Sequence, residues 1–155
     1  MQPIVGYNFG AQKIDRVKQT LKLGIVSGVV ITSSGFFICE LFPHAVSAIF
    51  TDSDHLIDLA VDGLRITVIM FPFVGAQIVI GNFFQSIGKA KISIFLSLTR
   101  QLLYLLPCLL LFPNWWGLKG IWISMPVSDA LAFITAVISL IIYIKKVSKQ
   151  HPIAE

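Results

Sequence analysis

The sequence predicts an all-α fold, a polytopic membrane helix bundle with four transmembrane helices. Three observations predict it. Of 155 residues, 55% are hydrophobic and only 13% are charged, against about 25% charged in a soluble domain. Mean hydropathy is +0.82. Four apolar runs reach the roughly 20 residues that a helix needs to cross about 30 Å of hydrocarbon. A soluble bundle is excluded because amphipathic surface helices need a charged side, and these runs have almost none. The length allows one domain, residues 1–155,.

Each element follows from its run and its flanks. Residues 1–22 open with Met1-Gln2-Pro3, without the basic region or small-residue cleavage site of a signal peptide,. Span A covers about 23–43, uncharged between Lys22 and Glu40. Span B covers about 66–87, bounded by Arg65 and Lys89. Span C covers about 92–112 with Arg100 inside it, and span D about 121–144 with Asp129 inside it. A basic tail, 145–155, carries Lys145, Lys146 and Lys149.

The connections alternate in charge. Lys13, Arg16, Lys18 and Lys22 precede span A, and Lys89 and Lys91 lie between B and C. The A–B loop instead carries Asp52, Asp54, Asp58 and Asp62, while the C–D loop carries Trp115, Trp116 and Lys119. Positive loops face the cytoplasm, and aromatic residues mark the interfaces. Both termini are therefore expected in the cytoplasm, with the A–B and C–D loops outside. The net charge of +4 says little about nucleic acid in such a chain, and no nucleic-acid partner is expected. The expected partner is the lipid bilayer.

Small and polar residues recur at helical spacing on every span: Gly24, Gly28, Thr32 and Gly35 on A; Gln77, Gly81, Gln85 and Gly88 on B; Ser93, Ser97, Arg100 or Gln101, Tyr104 and Cys108 on C; Ser124, Ser128, Ala132, Thr135 and Ser139 on D,. Two readings stay open, close helix packing and a hydrated substrate path. Gln77, Gln85, Arg100, Gln101, Tyr104, Ser128 and Asp129 are the candidate path or polar-network residues. A lone charge at mid-bilayer costs roughly 3 kcal/mol. Arg100 and Asp129 stand at comparable depth on antiparallel spans, so a shared polar network is expected. Pro72, Pro107 and Pro126 are expected to interrupt their spans,.

Catalytic constellations are absent from the sequence. It has no P-loop and no GxSxG or HExxH motif, so neither enzyme activity nor ATP-driven pumping is expected of this chain, and no cofactor. His44 and His55 lie near Asp52, Asp54 and Asp58 without recognisable ligand spacing, which reads as a solvated acidic loop and not a metal site. Cys39 and Cys108 sit in apolar runs, as packed or lipid-facing thiols.

Several segments carry a resemblance. Gln2-Pro3-Ile4-Val5-Gly6-Tyr7-Asn8-Phe9-Gly10-Ala11 resembles the motif that ends the eighth helix of the multidrug and toxic compound extrusion (MATE) family. Its motif positions are Gln2, Pro3, Gly6, Tyr7, Asn8 and Gly10. Phe84-Gln85-Ser86-Ile87-Gly88-Lys89-Ala90 is similar to the end of that family's tenth helix, Arg100-Gln101 with Pro107 to its eleventh, and Gly117-Leu118-Lys119-Gly120-Ile121-Trp122 with Pro126 and Ser128-Asp129 to its twelfth.

The resemblance implies that spans A to D correspond to helices nine to twelve, part of the C-terminal lobe of a twelve-helix transporter. It implies a secondary active antiporter in the inner (plasma) membrane, exporting drugs or other cationic or amphipathic compounds in exchange for Na+ or H+. It also implies that the first seven helices and most of the eighth lie outside this sequence, as in a fragment, a misplaced start or a split gene. Missing N-terminal helices or a partner chain are then expected. Some members carry an acidic residue in the tenth helix, and span B has none between Arg65 and Lys89. The alternatives are a lipid-linked oligosaccharide flippase of the same superfamily and a non-transporting remnant or assembly subunit. Gly10-Ala11-Gln12-Lys13-Ile14 and Gly88-Lys89-Ala90-Lys91-Ile92 both follow a span end and open a basic loop, a faint internal echo,.

Overall fold

The structure, a computed structural model, describes residues 1–150, with side chains described through Val147. Residues 151–155 of the expected basic tail, and the Lys149 side chain, lie outside the described residues. Among the described residues every regular element is helical: α1 (Gln2–Gly10), α2 (Ile14–Leu41), α3 (Pro43–Ala48), α4 (Asp54–Thr67), α5 (Phe71–Ser86), α6 (Ala90–Leu98), α7 (Leu106–Trp116) and α8 (Leu118–Gln150). A 3-10 turn, Val68–Met70, joins α4 to α5, and a π-helical segment, Thr99–Leu105, joins α6 to α7. Four continuous helices are long and apolar enough to cross a membrane: Ile14–Leu41, Asp54–Ser86, Ala90–Trp116 and Leu118–Val147. They contain spans C and D whole, span A up to Leu41 and span B up to Ser86.

Three connections are shorter than the sequence suggests. The basic stretch before span A is already helical, so the 28 residues of α2 run about 42 Å, roughly 12 Å beyond the hydrocarbon. Most of the expected acidic loop is the helix α4, with Asp54, Asp58 and Asp62 four residues apart on one exposed face, while Val61 and Gly63 are buried,. Its aspartates read as loop because Asp is a weak helix former, yet Asp54 in the first turn favours the positive end of the helix dipole,. The expected C–D loop shrinks to Gly117. Its φ of +55° turns the chain, and Gly120 then packs so closely on the Phe112 carbonyl that a Cβ has no room.

Pro72 and Pro107 both follow departures from α-geometry. Each lacks the N–H that would bond four residues back, and the residues four back, Val68 and Leu103, lie in the 3-10 turn and the π segment. Pro126 does not interrupt its span: α8 continues unbroken through it.

Helices α2 and α5 cross at glycines. A Cβ on Gly28 would lie 2.9 Å from Val79 and 3.0 Å from the Gly75 carbonyl. For these span A positions packing, not a cavity, accounts for the small residues; Gly35 has nothing near it. The core cluster lies where α1, α2, α5, α6 and α8 meet, around Val5, Leu21, Ile80, Phe84, Leu96 and Ala136. Tyr143 closes it with its ring centroid 5.5 Å from that of Phe84.

The ends of the bundle differ in charge. Lys18 and Lys22 line a cleft with Leu140 and Ile144 at one end, and Lys89 and Lys146 line another there. At the other end Gly63 of α4 packs on Trp122, and Glu40 pairs with Arg65 at 3.7 Å. Both of those side chains are well exposed, so the pair contributes little.

Candidate functional site

The site begins with the π segment. Five-residue backbone bonding widens a helix locally and turns its side chains, and such segments recur at functional positions. Here it carries Arg100, Gln101 and Tyr104. Arg100 Nε donates to Asp129 Oδ1 of α8 at 2.8 Å. The Asp129 side chain is 9% exposed and that of Arg100 36%, so the carboxylate is inside and the guanidinium reaches outward. Tyr104 and Thr135 hydroxyls meet at 2.7 Å. Because Thr135 spends its proton on the Leu131 carbonyl at 2.9 Å, Tyr104 is the donor. Two polar bonds thus tie the π segment to α8.

On its other side Arg100 lines a cleft of about 320 Å³ between α5 and α6. Gln77, Asn82, Gln85, Ser93, Ser97 and Gln101 line it as well. Gln77 is buried, and its Oε1 has no hydrogen-bond partner among the described residues. Gln85 accepts a bond from Gln2 Nε2 at 3.2 Å, which connects α1 to the cleft.

The structure therefore divides the sequence candidates. Gln77, Gln85, Arg100 and Gln101 share the cleft. Asp129 and Tyr104 do not line it; they hold the π segment to α8. Ser128 is 1% exposed and returns its hydroxyl to the Met125 carbonyl at 2.8 Å. Ser124 and Ser139 likewise bond their own helix, so the polar stripe of α8 is spent largely on its own backbone. Asn82 was not singled out from the sequence, where a polar side chain between Gln77 and Gln85 in an apolar run is its signal. Among the motif residues, Asn8 is buried with its Nδ2 donating to the Ile4 carbonyl at 2.8 Å, Tyr7 is exposed, and Gly6 packs near the Ser86 carbonyl.

Comparison with known proteins extends this picture. The family model MatE matches residues 1–110. The multidrug export protein MepA of Staphylococcus aureus (strain MSSA476) is 24% identical over 143 residues, which cover 92% of this chain and 31% of MepA. A solved chain described as protein A is 39% identical, with a TM-score of 0.84 over 90% of this chain and 31% of that one. A multidrug resistance MATE family transporter of the MOP superfamily, solved inward-facing, is 20% identical with a TM-score of 0.89, over 96% of this chain and 35% of its own. At that identity the likeness speaks for the fold alone. This chain spans about a third of the length of the curated relatives it matches.

Proposed function

The chain belongs to the MatE family, and on that premise we propose that it forms part of an antiporter that exports drugs or other organic cations in exchange for Na+ or H+. The observation that carries this reading is the family match over residues 1–110. The geometry supports it: a half-buried ion pair and an amide-lined cleft stand in the apolar part of the bundle, where charged and polar groups usually mark a transport path. With its basic end in the cytoplasm, both termini lie on the cytoplasmic side of the plasma membrane, and the remaining helices of the transporter come from N-terminal sequence or a partner chain.

Ethidium efflux from cells expressing the chain together with the remaining transporter helices, with membrane insertion confirmed, tests the reading. Efflux above a control expressing those helices without this chain, and stopping when the Na+ or proton gradient is collapsed, is expected. No efflux from the inserted assembly sinks the reading and favours the non-transporting remnant. One observation favours a lipid-linked oligosaccharide flippase as second reading: Arg100 reaches into the cleft, and among the described residues no carboxylate lines it.

A further inference from the structure

The cleft between α5 and α6 has a one-sided chemistry. A guanidinium carries five N–H donors, and Asp129 alone cannot occupy them all; it is engaged through Nε at 2.8 Å. The 36% exposed Arg100 side chain therefore has donors left for the cleft. Asn82, Gln85, Ser97 and Gln101 add amide and hydroxyl donors around it. Gln77 is 8% exposed, and its amide oxygen is unpartnered among the described residues. That oxygen is closed off from the cleft, so Gln77 meets a ligand there through its Nε2, a donor,. A cation entering here meets no free carboxylate among the described residues, because the nearby Asp129 is held by Arg100. Leu96 and Ile78 supply apolar wall, and about 320 Å³ holds an acidic group with part of the ring or chain attached to it.

We infer that this cleft is a subsite for an oxyanion, the carboxylate or phosphate of an amphiphilic ligand, with Arg100 and Gln77 as its principal contacts. For an exported compound this means a zwitterion or an amphipathic acid whose acidic end docks here. That last point rests on the export reading; the binding itself does not.

The test uses the full chain in nanodiscs of phosphatidylcholine. Dansylglycine and its uncharged methyl ester are titrated, and dansyl fluorescence reports binding. The carboxylate is expected to bind saturably and at least about tenfold more tightly than the ester, as a charge-assisted bond requires. Gln77→Leu removes the unpartnered amide at nearly constant volume, so it should keep helix content and unfolding midpoint while weakening dansylglycine severalfold. Arg100→Lys keeps the charge beside Asp129 but loses the fork, and should also weaken binding severalfold. Nanodiscs doped with phosphatidic acid separate the two sources of the oxyanion. Competition with dansylglycine supports a lipid phosphate as resident ligand, and no competition supports a soluble acid. Equal binding of acid and ester, no binding by folded wild type, or acid binding untouched by both variants overturns the inference. Failure of ethidium efflux alone leaves it standing and counts against the export reading only.

Discussion

At the residue scale, the Arg100–Asp129 pair was legible because two charges interrupt otherwise apolar runs. The sequence carried their depth but not the π segment that brings Nε to 2.8 Å from Oδ1. Removing one partner of a buried pair leaves an uncompensated charge. Asp129→Ala should therefore destabilise the chain by about 3 kcal/mol, the lower end of the usual range because Arg100 is partly exposed. In a double-mutant cycle with Arg100→Ala, the pair together should lose less than the sum of the singles, read by unfolding in detergent followed by circular dichroism. A charge swap, Arg100→Asp with Asp129→Arg, that recovers nothing lost by either single change would count against direct pairing. A second residue-scale feature corrects the internal echo. Lys13 N–H bonds the Asn8 carbonyl and Lys89 N–H the Phe84 carbonyl, both at 2.9 Å, one residue beyond the left-handed residues Gln12 (φ +57°) and Gly88 (φ +75°). The two turns share one helix-ending motif, but in the register that matches Gln12, not Gly10, to Gly88. Gln12→Gly should stabilise by about 0.5–1 kcal/mol, and Gly88→Ala should cost about 1 kcal/mol; the same unfolding measurement checks both.

At the element scale, spans A to D were readable because length and hydropathy alone specify a membrane helix. What escaped was everything set by contacts between helices. The α4 helix was hidden by its aspartates, although their four-residue spacing already placed them on one face. Asn82 was hidden because only the approach of α6 to α5 makes its position part of a cleft. Ser128 looked functional as part of the polar stripe of span D, but it sits on a buried face where its hydroxyl is already satisfied. The α2–α5 crossing gives the sharpest test of an element contact. Gly28→Leu drives side-chain atoms into Val79 and the Gly75 carbonyl, and should cost about 2–3 kcal/mol by overpacking. Gly35→Leu, on the same helix with nothing nearby, should be close to neutral. Equal effects of the two in the unfolding assay would refute the crossing.

At the scale of the whole molecule, the charge asymmetry between the two ends predicts orientation. In a chain with Cys39 and Cys108 replaced by serine, Ser53→Cys should react with an impermeant maleimide on intact cells, and Lys91→Cys only after permeabilisation. The opposite pattern would invert the topology. The same view gives the hairpin of spans C and D a role in biogenesis. Its legs are joined by one residue, Gly117, and carry charges of opposite sign that bond each other. Each leg entering lipid alone brings one bare charge. Entering together as a folded hairpin, they bring a neutral pair. Nascent-chain integration of this region is then a two-helix event: span C should partition poorly at the translocon until span D has emerged from the ribosome to neutralise it.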